Sequence, residues 1–141
     1  MRLTRVFSGA PWESKVGYCR AVKAGEHIYV SGTAPIDEEG QVFAPGDAYL
    51  QARRCLEIME RALQELGCGR ESVVRTRMFV TDISRWEEYG RAHRGVLLPT
   101  SPGNVHGGGE ISHSPRHVDR NGGGRRPRLV VLPAAPAKCP L

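Results

Sequence analysis

Apolar positions along this chain follow two different periods. Between residues 48 and 66 they recur at three and four: Leu56, Met59, Leu63 and Leu66, with Cys55 and Ala62 beside them, make one stripe. That is the pattern of a helix with a single buried face. Asp47 stands where its carboxylate can accept an amide hydrogen bond from the first turn, and Gly67 where a left-handed residue can end the last. A second helix is predicted over 83–93. It opens on Ser84-Arg-Trp-Glu87, which has capping-box form, and carries Trp86, Tyr89 and His93 on one face. Elsewhere the period is two. His27-Ile-Tyr-Val-Ser31 is a short β-branched and aromatic run ended by Gly32, with residues 17–24 as its hairpin partner across Gly25-Glu26 and residues 4–8 as an edge strand. Residues 73–81 alternate Val74, Thr76, Met78 and Val80 against Val73, Arg75, Arg77 and Phe79, a fourth strand, and Asp37-Glu-Glu-Gly40 is a turn by composition. The order β-β-β-α-β-α sets two amphipathic helices against one sheet, an α+β arrangement. Leu56, Met59, Leu63, Val74, Met78 and Val80 are its candidate core.

Charge and composition divide the chain near His93. Residues 1–93 hold 13 Lys+Arg and 13 Asp+Glu, whereas residues 94–141 hold 7 and 2, so the whole net charge of +5 belongs to the tail. All nine aromatic residues lie at or before Tyr89, and 7 of the 10 prolines lie after Arg94. The basic balance therefore describes the tail and not a binding face on the folded part. Cys19, Cys55, Cys68 and Cys139 show neither CxxC pairing nor the density of a disulfide framework, so reduced thiols and a cytoplasmic location are expected. No apolar run approaches the roughly 18 residues of a membrane span. The start, Met1-Arg-Leu-Thr-Arg-Val-Phe-Ser-Gly9, lacks the apolar stretch of a secretory signal.

Four segments, in this order, carry a family resemblance. Gly25-Glu-His-Ile-Tyr-Val-Ser-Gly-Thr-Ala-Pro-Ile36 resembles the early strand of RidA (YjgF, endoribonuclease L-PSP-like) proteins, an apolar strand ending in Ser-Gly and followed by Pro. Gln51-Ala-Arg-Arg-Cys-Leu-Glu57 resembles their first helix, Val73-Val-Arg-Thr-Arg-Met-Phe-Val-Thr-Asp82 their next strand, and Tyr89-Gly-Arg-Ala-His93 their second helix. The resemblance implies a chorismate mutase-like β-β-β-α-β-α-(β-β) domain, with two helices on one face of a mixed sheet.

After His93 the resemblance ends. The residues of 102–127 permit codons that, read one nucleotide out of step, encode PATSMVEVKSLIHPDMLIEMEADAV, which is similar to the family's two closing strands. The expectation is an incomplete domain over 1–93 and a Gly/Pro/Arg-rich, out-of-frame and disordered tail over 94–141, with the last two strands missing or corrupted. Gly107-Gly-Gly and Gly122-Gly-Gly, with scattered prolines, suit neither alternation nor ladder bonding. Val96-Leu-Leu and Leu129-Val-Val-Leu read as sticky runs without structure. His106, His113 and His117 lack Cys or acidic partners at ligand spacing, so no metal site is expected. The Gly122-Gly-Gly-Arg-Arg run has no aromatic to stack on bases, so no nucleic-acid partner is expected.

For chemistry, the resemblance implies hydrolysis of reactive enamines and imines such as 2-aminoacrylate to a 2-oxo acid and ammonia. The site would lie between subunits of a homotrimer, with no metal or organic cofactor and no membrane. An arginine of the penultimate strand grips the substrate carboxylate as a planar fork, and a carboxylate of the last strand activates water. Matched position by position, Tyr18, Ser31 and Gly32 are the candidate ligand-binding residues, against plainer roles as a half-buried aromatic and a tight strand exit. Gly90 stands where deaminases carry asparagine, and the out-of-step PATS has threonine in place of the arginine. Arg75 and Arg77 lie on another strand and read as solvated or inter-subunit charges, so the catalytic residues stay unknown. Three readings follow: a deaminase-like hydrolase for small carboxylate-bearing imines, a non-catalytic trimer binding small molecules or a protein, or a non-functional frameshifted product.

Overall fold

The computed structural model describes residues 1–97, together with the backbone of 110–111 and 128–130. Its elements are β1 (Leu3–Val6), α1 (Pro11–Val16), β2 (Ala21–Ala24), β3 (His27–Val30), α2 (Ala48–Glu65), β4 (Arg77–Phe79), α3 (Trp86–Leu97), β5 (Glu110–Ile111) and β6 (Arg128–Val130). The fold is α+β, as expected, and among the described residues the strands pair as two three-stranded sets. One is the antiparallel set β1-β2-β3, and the other has the order β5-β4-β6.

In the first sheet Val6 faces Ala21, which faces Val30, so these three and Ile28 turn one way. All four are buried in one cluster with Cys55, Leu56, Met59, Ala62 and Leu63 of α2. The stripe predicted for α2 is thus the stripe that packs, with Leu56 and Met59 completely enclosed. Asp47 Oδ1 accepts the amide of Leu50 at 2.8 Å, and Gly67 adopts φ 77° beyond the last turn. Both end signals act as read.

Elsewhere the boundaries moved. Helix α1 was missed because six residues are too few to show a period. Pro11 presets its first turn, and Gly17 closes it at φ 80° by donating its amide to the Glu13 carbonyl. The strand expected over 73–81 shrinks to Arg77–Phe79, since a 3-10 turn at Arg70–Ser72 occupies the preceding residues. That turn buries Val73 and leaves Val74 39% exposed, the reverse of the alternation expected, while Met78 and Val80 are only half-buried.

The second helix starts later and ends later than its sequence implied. Asp82, not Ser84, caps the entry, accepting the Ser84 amide at 3.0 Å and hydroxyl at 2.6 Å across a 3-10 turn at Ile83–Arg85. At the other end α3 runs on through Leu97, and Val96 and Leu97 lie in the core. The Val96-Leu run taken for unstructured is helical because it continues the apolar face begun by Tyr89 and Ala92, both buried.

The backbone of residues 110–111 and 128–130 supplies β5 and β6. The first runs parallel to β4 and the second antiparallel. Ladder bonding uses the main chain of any sequence, so a strand with two open edges takes up extended backbone regardless of side-chain pattern. The rest of the segment read as out of frame, with its histidines and its Gly-Arg run, lies outside the described residues. Cys68 corrects the expectation of reduced thiols, being disulfide-bonded, while Cys19 and Cys55 form no disulfide. No helix among the described residues is long and apolar enough to cross a membrane.

Candidate functional site

The chain leaves β3 at Ser31 and turns back through Gly32 and Thr33. This turn is tied down from the segment just before β2. The Ser31 amide donates to the Arg20 carbonyl at 3.0 Å, and the Ser31 hydroxyl to the Cys19 carbonyl at 2.7 Å. Arg20 Nη1 donates to the Gly32 carbonyl at 3.2 Å and to Thr33 Oγ1 at 2.9 Å, while the Thr33 hydroxyl donates to the Ser31 carbonyl at 3.0 Å. Gly32 itself is exposed, and its N–H has no partner among the described residues.

A buried guanidinium organises this turn. Arg20 is 5% exposed. Its Nε lies 3.7 Å from Glu13 Oε1, too far for a hydrogen bond, and the carboxylate is as deeply buried. Glu13 reaches there from the first turn of α1. Its oxygens accept the Ser8 amide at 3.0 and 3.1 Å, the Ser8 hydroxyl at 2.6 Å and the Gly9 amide at 3.2 Å. Two buried charges of opposite sign are thus each hydrogen-bonded on their outer side, the condition under which such a pair is tolerated inside a protein. Tyr18, half-buried in the α1–β2 connection, places its ring 5.5 Å from the Arg20 guanidinium carbon, within the range of a cation–π contact.

The three expected ligand residues, Tyr18, Ser31 and Gly32, therefore converge on one neighbour that sequence reading passed over. Arg20, Glu13 and Thr33 gave no periodic signal, since each sits in a connection or a six-residue helix. A buried Arg–Glu pair seven residues apart could have been suspected only from the burial itself.

Two other features lie nearby. Gln51, Cys55, Leu56, Met78, Val80 and Tyr89 line an apolar cavity of about 20 Å³ between α2, β4 and α3. That volume holds about one water and no substrate. Gly90 is exposed on α3 with open space around it, so the position where deaminases carry asparagine presents no polar group. Arg75 and Arg77, expected to be solvated or inter-subunit charges, are half-buried within the single chain. Among the described residues no group of three His, Cys, Asp or Glu side chains could hold a metal ion.

The described part is thus an α+β domain with an open backbone turn at a strand exit, braced from beneath by a buried arginine. Comparison places it: the chain belongs to the RidA/YjgF family, and the endoribonuclease L-PSP family profile matches residues 9–104. That match, like α3, runs past His93. An uncharacterized protein of Streptomyces coelicolor is 38% identical over 98 residues, which are 70% of this chain and 72% of the relative. A 3-aminoacrylate deaminase, RutC, of Acinetobacter baylyi is 36% identical over 72 residues, 51% of this chain and 55% of that protein. The crystal structure of a YjgF/YER057c/UK114 family member from Mycobacterium tuberculosis superposes with a TM-score of 0.72 at 31% identity, covering 94% of this chain and all of that one.

Proposed function

We propose that this protein binds small carboxylate-bearing imines or enamines at the Tyr18–Ser31–Gly32 turn and does not hydrolyse them at a useful rate. Kinship to a 3-aminoacrylate deaminase supports the ligand class. The observation that carries the lack of turnover is the state of Arg20. It is the guanidinium at the turn, and it is 5% exposed, with Nη1 committed to Gly32 and Thr33 and the Nε side turned to Glu13, so it is not presented as an open planar fork to a substrate carboxylate. Loss of a charge-assisted hold is worth about 1.5–3 kcal/mol per hydrogen bond. The Gly32 N–H is left as the donor for a ligand oxygen. We take the protein to be a homotrimer in which a neighbouring subunit closes the site. The face of the first sheet turned away from α2 supports this, with Leu3 and Tyr29 more than two-fifths exposed.

The test is release of pyruvate and ammonia from 2-aminoacrylate generated in place. Purified protein should give no more than buffer. Turnover well above buffer would establish the alternative reading, a hydrolytic deaminase.

A further inference from the structure

The buried pair deepens this reading. We propose that Arg20 and Glu13 are positioning residues of the ligand site, which fix the Ser31–Gly32–Thr33 turn and the Tyr18 ring to one common frame. The proposal rests on the ligand site being the one described above.

One guanidinium nitrogen holds both the Gly32 carbonyl and the Thr33 hydroxyl. A peptide unit is planar, so fixing that carbonyl restricts the peptide that follows, while the Thr33 hydroxyl, donating to the Ser31 carbonyl, fixes the preceding peptide that carries the Gly32 N–H. Between them the Gly32 N–H has its direction set without spending it on a protein acceptor. Glycine alone could not do this, since it has the widest backbone freedom of any residue. The same guanidinium faces the Tyr18 ring. Glu13 completes the device by holding Arg20 from the Nε side, and it is anchored in turn by Ser8 and Gly9. Four separated pieces of sequence, 8–9, 13, 18–20 and 31–33, are so joined through two buried side chains. A merely structural pair would require only burial and mutual contact. Here Arg20 spends its hydrogen bonds on the turn that carries the ligand residues, and Glu13 spends its own on anchoring the pair to Ser8 and Gly9.

The experiment compares the full chain with Arg20→Lys and Thr33→Val by two-dimensional amide and aromatic-ring NMR, first free and then titrated with pyruvate as a stable 2-oxo acid probe. Lysine keeps the charge but lacks the planar fork. Valine keeps the shape and removes the hydroxyl, so it leaves the ion pair intact and serves if Arg20→Lys does not fold. In the free variants the amide signals of Gly32 and Thr33 and the ring signals of Tyr18 should move, with those of α2 unchanged, and the pyruvate Kd should rise at least tenfold. Unmoved signals and an unchanged Kd in the folded variants would overturn the proposal. If wild-type protein shows no response to pyruvate at Gly32, the ligand reading fails. The free-state signals then still decide whether Arg20 positions the turn.

Discussion

A buried charge is costly unless a partner and hydrogen bonds satisfy it, and Arg20 and Glu13 meet that condition only together. Arg20→Met should destabilise the fold by about 3–5 kcal/mol, because it strands the Glu13 carboxylate. The double variant Glu13→Gln/Arg20→Met should lose less than the sum of the single losses, which urea denaturation measures. His93 makes a second prediction. It lies in α3 with its Nε2 2.8 Å from Thr76 Oγ1, and burial holds its imidazole below the ordinary value. Between that lowered value and about 6.5 the unfolded chain binds more protons than the native one. Stability contributed by His93 is therefore full above pH 6.5, falls as the pH drops through this window, and levels off below the folded value. The melting temperature should decline from pH 7 to 5.5, and His93→Gln should show a smaller decline.

At the scale of elements, α2 is the member on which the others assemble. It brings Cys55, Leu56, Met59, Ala62 and Leu63 to the first sheet, and α3 lies along it. Met59→Ala, at a position with no exposure, should cost about 2–5 kcal/mol in thermal or urea unfolding. Asp47→Ala removes a cap bond at the exposed end of the same helix and should cost about 1 kcal/mol. Equal losses at the two positions would mean that the helix is held by its end and not by its face. Arg54 and Gln51 extend the role of α2 to the loop before it, donating to the Ile36 carbonyl at 2.8 Å and the Phe43 carbonyl at 3.1 Å.

For the whole molecule, the two faces of the first sheet set the expectation of assembly. One face is closed by α2. The other carries Leu3, Val22 and Tyr29 beside Arg5, across the register Arg5–Val22–Tyr29. An apolar sheet face of this kind is favourable only when covered. Light scattering on the eluting protein should give three times the chain mass, and Tyr29→Glu should lower it to that of a single chain, since a charge would be buried in the contact. A trimer that survives Tyr29→Glu would place the interface elsewhere.

What the sequence determined by itself was whatever depends on short-range periodicity and end chemistry. The stripe from Cys55 to Leu66, the Asp47 cap, the Gly67 exit and the hairpin from Ala21 to Val30 all follow from neighbours within a few residues. For the same reason the order of the first four segments sufficed to indicate the family. Tertiary structure decided the rest. The phase of Val73 against Val74 depended on where the Arg70–Ser72 turn met the core, and the extension of α3 to Leu97 depended on a surface waiting for Val96. The candidate site was legible only in part. Tyr18, Ser31 and Gly32 could be named from their motif, whereas Arg20 and Glu13 acquire meaning only when folding removes both from water and leaves each charge to find the other.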